Sequence, residues 1–172
     1  MNKKVNKIIK AVANTVVALV VIIAILLVGV RIFGLQVFTV LSPSMTPKYP
    51  TGSVIYVREV SPKTLQTGDV ITFTMSGGIS ATHRIVEVIP SEDNADLLYF
   101  RTKGDANKTV DPSLVSEKNI IGTPVFTIPL LGFVANFVQN PPGLYLSVAV
   151  GLILVVLVFM ADVITTKTEE KE

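Results

Sequence analysis

Ser44, His83 and either Asp105 or Asp111 are the side chains in this sequence that can combine into a nucleophile, a proton acceptor and an orienting acid. His83 is the only imidazole and there is no Cys. Thiol catalysis, disulfides, Cys-ligated zinc and iron–sulfur clusters are therefore excluded. A zinc site of the His-x-x-x-His type is excluded by the same count. Ser44 sits in Leu41-Ser42-Pro43-Ser44-Met45-Thr46-Pro47, between two prolines that fix φ and restrict the residues before them. Such a stiff turn holds a hydroxyl still and can aim backbone N–H groups at an oxyanion. An ordinary Ser/Pro turn accounts for the same residues.

His83 lies in Thr82-His83-Arg84-Ile85, a segment with strand character. Alternation puts Ala81, His83 and Ile85 on one face and Thr82, Arg84 and Val86 on the other. A packed, hydrogen-bonded core histidine is the plainer reading of that pattern. Lys103-Gly104-Asp105-Ala106-Asn107 closes a strand with turn residues, and Asp111-Pro112 follows. Either aspartate can cap the turn. Asp105, Asn107 and Asp111 offer oxygens to a cation, but their spacing misses the EF-hand loop, so no metal is expected.

The elements that position these groups read as short strands between turns. Leu35–Leu41, Val54–Val57, Val70–Met75, Ile79–Ile89, Leu97–Thr102 and Ile120–Ile128 are rich in β-branched and aromatic residues. Pro, Gly, Asn, Asp and Ser cluster between them. Ser113–Asn119 reads as a short helix or turn. The fold expected is mainly β, a small antiparallel barrel or sandwich. Pro129–Val138 is apolar and reads either as a segment lying on a membrane surface or as a helix at the core edge.

The chain around this segment is of another kind. Hydrophobic residues make up 49% of the 172 residues and charged residues 16%, against roughly 25% charged in ordinary soluble domains. Residues 11–30 and 143–161 carry no charge. An α-helix rises about 1.5 Å per residue, so about twenty residues cross the hydrocarbon core. The organisation expected is a basic N-terminus (1–10), a first transmembrane helix (11–30), a β-rich domain (31–142), a second transmembrane helix (143–164) and a tail (165–172). A cleaved secretory signal is the rival reading of the first span. Its apolar run is long for one, and Val30-Arg31-Ile32-Phe33 provides no small-x-small site. Lys3, Lys4, Lys7 and Lys10 precede it, which sets the N-terminus and the tail in the cytoplasm and the β-rich domain outside. That corresponds to the plasma membrane of a prokaryote, or to the endoplasmic-reticulum membrane with a lumenal domain in a eukaryote. Between residues 31 and 142 nine basic residues balance nine acidic ones, so no basic face calls for nucleic acid.

Five boxes in order give a family resemblance. Ser42-Pro43-Ser44-Met45-Thr46-Pro47 resembles the S-x-S-M-x-P box of type I signal peptidases, and Gly68-Asp69-Val70-Ile71 resembles their G-D-[VI]-[IV] box. Thr82-His83-Arg84-Ile85-Val86 is similar to the H-R-[IV] box of the endoplasmic-reticulum-type branch, which also occurs in archaea and some Gram-positive bacteria (the SipW-like members). Lys103-Gly104-Asp105-Ala106-Asn107 through Asp111 resembles its K-G-D-x-N-x-x-x-D box, and Ile128-Pro129-Leu130-Leu131-Gly132 its I-P-x-x-G. The resemblance covers roughly Val5 to Phe137. Thr46 departs from it, standing where Glu is common.

The resemblance implies a membrane-bound serine endopeptidase that removes N-terminal signal peptides from exported preproteins. Ser44 would be the nucleophile and His83 the base, at a position where most bacterial members carry Lys. Asp111 would be the orienting acid, with Asp105 as the competing candidate. Ser42 and the Ser44 N–H would hold the oxyanion. Val40, Leu41, Ile79, Ala81 and Thr82 are the expected walls of pockets that select small residues at positions −1 and −3. Preproteins and the lipid bilayer are the implied partners, accessory subunits are compatible with the scheme, and no cofactor is implied. The rival readings are a non-catalytic anchored β-domain, an accessory subunit of a translocation complex, and a Ser–Lys protease using Lys103.

Overall fold

In a computed structural model of the chain, residues 3–75, 77–91, 97–153 and 156 are described. The chain divides into two units, Val30–Ala135 and the segments on either side of it. Among its described residues the inner unit carries seven strands: β1 (Leu35–Thr39), β2 (Val54–Arg58), β3 (Val70–Thr74), β4 (Ser80–Pro90), β5 (Leu98–Lys103), β6 (Val115–Ser116) and β7 (Ile120–Ile128). Every pairing is antiparallel, and the order across the sheet is β1-β2-β7-β3-β4-β5-β6.

The expected β-rich segment is thus mainly antiparallel β, and the sheet is an open half-barrel rather than a closed barrel or a sandwich. Its ends, β1 and β6, are not paired with each other among the described residues. β6 offers β5 only two ladder positions, Tyr99↔Ser116 and Phe100↔Val115, too few to carry the sheet round to β1. Residues 113–119, read from sequence as a helix or turn, supply this short strand and then a 3₁₀ turn at Glu117–Asn119. The Ser116 side chain accepts the Lys118 N–H at the start of that turn.

Alternating side chains divide the core in two. Across β3 and β4 the register pairs Ile71 with His83 and Phe73 with Ala81 on one face, and Thr72 with Thr82 on the other. The Thr72 and Thr82 hydroxyls lie 2.8 Å apart. On the first face Leu65, Ile71, Phe73, Ile85, Phe100 and Val115 form one buried cluster. Met45, Tyr49, Ile55, Val57 and Val70 form the other. Burying such a side chain contributes about 1.5–3 kcal/mol, so each cluster pins the strands beneath it.

β4 is longer than its neighbours need. Its Arg84–Pro90 part pairs with β5, whereas Ser80–His83 pairs only with β3. Among the described residues no strand covers the other edge of Ser80–His83. Backbone donors and acceptors there are left open beside the one histidine.

Two buried hydroxyls in β2 and the turn before it, Tyr56 and Ser53, have no hydrogen-bond partner among the described residues. Burial also pushes the Tyr56 phenol above its ordinary pKa. A desolvated, unpaired hydroxyl costs about 1–3 kcal/mol. Tyr56→Phe keeps the ring, which stacks at a tilt on Phe126. The variant should therefore unfold at equal or higher urea concentration than wild type.

Helix α2 (Leu131–Gln139) corresponds to the apolar segment 129–138. Leu131, Gly132 and Ala135 are buried while Phe133 and Val134 are exposed, so the helix end in the inner unit is a core edge with an uncovered apolar side. Gly132 is required there. A Cβ would come within 2.7 Å of the Gly52 and Ser53 carbonyl oxygens.

In the outer unit, α1 (Lys3–Leu27) starts earlier than the expected 11–30 span, and a 3₁₀ turn follows at Gly29–Phe33. Lysine is a good helix former and extends the helix backward, while Gly29 is a poor one at its end. The stretch Asn14–Phe33 is long and apolar enough to cross a membrane, and none of it is buried. A further apolar helix, Gly143–Ile153, is shorter. Apart from residue 156, the rest of the expected second span, the tail 165–172 and the loop 92–96 lie outside the described residues.

Candidate active site

The Ser44 turn is anchored by its neighbour. Met45 is 2% exposed and packs with Tyr49, Ile55, Val57 and Val70. Its sulfur also accepts the Asp105 N–H at 3.4 Å. The Thr46 N–H donates to the Pro43 carbonyl and the Tyr49 N–H to the Met45 carbonyl, which closes the turn around Ser44. The Ala106 N–H donates to the Ser44 carbonyl at 2.8 Å and ties this turn to the one after β5. Gly104 is part of the same tie. A Cβ on it would stand 2.7 Å from the Ser44 carbonyl oxygen, so any larger residue pushes the two turns apart.

His83 faces the Ser44 hydroxyl across the open edge of the sheet. Its Nε2 is 3.2 Å from Ser44 Oγ, and its Nδ1 is 2.5 Å from Asp111 Oδ2. The Phe73 ring edge stands against the imidazole, with ring centres 6.2 Å apart. Asp111 is held by β5: its N–H donates to the Thr102 carbonyl at 2.8 Å, and the Thr102 hydroxyl donates to Oδ2 at 2.6 Å. An ionised carboxylate only accepts. Nδ1 therefore carries the proton, and the Nε2 lone pair faces Ser44. This tautomer follows from the network of partners.

Ser42 Oγ is 3.0 Å from Ser44 Oγ. With the Ser44 hydroxyl turned toward His83, Ser42 is the donor of that pair. Its proton then lies beside the atom that would attack, within reach of an oxyanion formed there.

Ser44 and His83 open into a groove of about 540 Å³. Val40, Leu41, Ile79, Ala81 and Thr82, the five residues expected as pocket walls, all line it, with Ser42, Met45 and Thr72. One wall is the unpaired edge of β4, and the other is the chain leaving β1.

The geometry is matched by sequence likeness. A family profile described as "Signal peptidase, peptidase S26" matches residues 12–128. The chain belongs to this signal peptidase family. It is 44% identical to Signal peptidase I W of Bacillus subtilis (strain 168) over 90 residues, which are 52% of this chain and 46% of that protein. It is 28% identical to the signal peptidase complex catalytic subunit SEC11C of Homo sapiens over 114 residues, 62% of this chain and 58% of that protein. A SEC11 subunit of Fusarium vanettenii is 32% identical over 118 residues, 63% of this chain and 66% of that protein. The chain thus spans about half the length of the first two of these relatives. Both are of the kind that the H-R-[IV] box suggested.

Within the family's boxes the structure separates the two aspartates. Asp111 meets His83, whereas Asp105 meets Arg84. The Arg84 Nε and Nη2 donate to the two Asp105 oxygens at 2.8 and 2.6 Å, and Nη1 donates to the Gly68 carbonyl at 2.7 Å. Asp105 as an orienting acid for His83 is therefore not what the geometry favours. Both its oxygens are taken by the guanidinium on the opposite face of β4. The pair ties the G-D box, the H-R box and the K-G-D box together. Lys103, the rival base, ends β5, pairs in register with Arg84 of β4 and is not among the residues lining the groove.

Hydrogen bonding to Arg84 holds the Asp105 carboxyl below its ordinary pKa, against the opposing effect of burial. A lowered folded pKa gives stabilisation that is complete above about pH 4 and lost as pH falls through the folded value. Asp105→Asn removes the titrating group. Its stability deficit should be full near neutral pH and shrink below about pH 4, as urea unfolding across that range would record. A deficit that is constant with pH would show the pair contributes no linked stability.

Sequence reading missed Thr102, the donor that helps fix Asp111. Thr102 is fully buried, and a Thr in a strand gives no signal of its own. Arg84 and Gly104 were inside the quoted boxes without a role. A charged residue next to His83 and a glycine next to Asp105 were the available signals.

Proposed function

We propose that this chain is a membrane-anchored serine endopeptidase that removes signal peptides from preproteins. The observation that carries this reading is the Ser44–His83–Asp111 line at the open edge of β4, with hydrogen-bond distances of 3.2 and 2.5 Å, in a chain of the signal peptidase family. His83 takes the Ser44 proton as Ser44 Oγ attacks the scissile carbonyl. Asp111 keeps Nδ1 protonated and stabilises the imidazolium. Ser42 Oγ and the Ser44 N–H donate to the oxyanion, where losing one donor costs about 2.7–4 kcal/mol in a well-studied protease. The imidazolium then gives its proton to the departing amine, and water, deprotonated by His83, releases the acyl group from Ser44.

The precursor binds as an added strand along the uncovered edge of Ser80–His83. Its side chains at −1 and −3 point to the groove side, between Val40, Leu41, Ile79, Ala81 and Thr82, where the walls admit small residues. The apolar stretch from residue 14 to 33 anchors the enzyme, and residues 143–164 cross the membrane a second time. The basic N-terminus and the tail lie in the cytoplasm and the peptidase domain outside. Anchoring confines enzyme and precursor to one surface and raises their effective concentration. Relatives named as subunits of a signal peptidase complex support accessory subunits here too.

The test is cleavage of a preprotein with small residues at −1 and −3 by the detergent-solubilised chain. Wild type should release the mature protein and Ser44→Ala should not. Equal cleavage by both would remove the reading.

A further inference from the structure

One residue lining the Ser44 groove comes from neither of its walls. Val40 and Leu41 bound the groove on one side and Ile79–His83 on the other, while Asn107 enters from the turn after β5. Gly104 is what seats it there. A Cβ on Gly104 would stand 2.8 Å from Asn107 Nδ2 and 3.0 Å from its Cγ, as well as 2.7 Å from the Ser44 carbonyl oxygen. The space that a side chain at position 104 would fill is thus taken by the Asn107 carboxamide, alongside the backbone of the nucleophile. The Asn107 N–H donates to the Gly104 carbonyl at 2.9 Å, and the Ala106 N–H fastens this turn to the Ser44 carbonyl. The half-buried carboxamide is therefore held in place by its backbone. Among the described residues it makes no hydrogen bond of its own. A carboxamide carries two donor protons and an acceptor oxygen, and leaving them unmade in a filled site costs free energy.

Its place along the groove decides what meets it. Ile79, Ala81 and Thr82, the walls for −1 and −3, precede His83 on β4. Lys103 pairs with Arg84, the residue after His83, so the turn that begins at Gly104 lies on the far side of the catalytic pair. A precursor whose signal-peptide end runs along Ser80–His83 carries its mature end out over that turn. We propose that Asn107 binds the main chain of the departing mature segment, its oxygen accepting a peptide N–H and its NH₂ donating to a peptide carbonyl. This rests on the peptidase reading above. An extended chain displays an N–H and a C=O at its links whatever its side chains. The contact therefore holds the mature segment in line without selecting its sequence, and keeps the leaving amine within reach of the His83 proton.

The experiment uses three precursor peptides of one sequence that differ only in the main chain. One is all amide. The others carry an ester in place of the first or the second peptide link after the cut, which removes one N–H and weakens one carbonyl acceptor while the scissile amide is untouched. kcat/KM is measured for wild type, Asn107→Ala and Asn107→Leu, full chains in detergent, the leucine keeping the space over Gly104 filled. Wild type should cleave the all-amide peptide about five- to tenfold faster than one of the esters, the effect of losing a hydrogen bond. Both variants should cleave amide and ester alike, at about the rate of wild type on its slower ester. Each comparison is a ratio within one protein, so a smaller folded fraction in a variant leaves it unchanged. A serine-directed phosphonate should label Ser44 at the same rate in the folded fraction of all three, because it has no mature segment. A wild type indifferent to both esters, or variants that keep the wild-type ratio, overturns the role of Asn107 and leaves the peptidase reading standing. Slower labelling in both variants does the same, since Asn107 would then act through the Ser44 turn. A wild type that cleaves none of the three peptides overturns both readings.

Discussion

His83→Ala should cleave a preprotein about 10⁶-fold more slowly than wild type, the size of loss seen when the base of a serine-protease triad is removed. His83 is the sole imidazole, and its Nε2 is 3.2 Å from Ser44 Oγ. The other side-chain partner of that hydroxyl is Ser42, which is no base at neutral pH. Among the described residues no other base touches that hydroxyl, so none takes over the proton. Ser44→Ala should lose as much, and the double variant should lose no more than either single one, because the two groups act as a unit. Single-turnover cleavage in detergent reads all three, with membrane insertion checked separately. Substantial activity in His83→Ala would break the triad, and loss in Lys103→Ala alongside it would favour the Ser–Lys alternative.

Asp111→Asn should cost about 10⁴-fold in kcat, as loss of the orienting carboxylate does in a comparable triad. The replacement is nearly isosteric, so the packing survives. Asp111 Oδ2 accepts from both His83 Nδ1 and the Thr102 hydroxyl. An amide that turns its NH₂ toward His83 forces the proton onto Nε2, which then cannot accept from Ser44. An amide that keeps its oxygen there has no charge to stabilise the imidazolium. Asp105→Asn should cost far less in kcat, because Asp105 pairs with Arg84 and acts on the geometry of the joined turns. Equal losses in the two variants would mean that the acid's role is not specific to the one touching His83.

The strands were legible because β-branched and aromatic runs stood between clear turn residues. Six of the seven were located to within a few residues. The seventh, Val115–Ser116, was not, because two residues carry no periodicity. The closure of the sheet was missed for the same reason: whether a sheet closes depends on its last strand, here too short to pair further. Helix α1 reaches back to Lys3, beyond the apolar run of 11–30, because hydropathy marks what a membrane accepts, whereas helix bounds depend on backbone propensity, which lysines satisfy.

Residue types and their order determined the available chemistry. One His, no Cys and a serine between prolines left few nucleophile–base pairs, and the ordered boxes singled out one. Choosing between Asp105 and Asp111 needed the tertiary structure. Both aspartates follow β5 within a few residues, and either could cap a turn. Which one meets His83 depends on the face of β4 that each turn reaches. Arg84 and His83 are consecutive on one strand, so their side chains leave on opposite sides. One aspartate is drawn to each, a consequence of strand alternation that acts between segments distant along the chain.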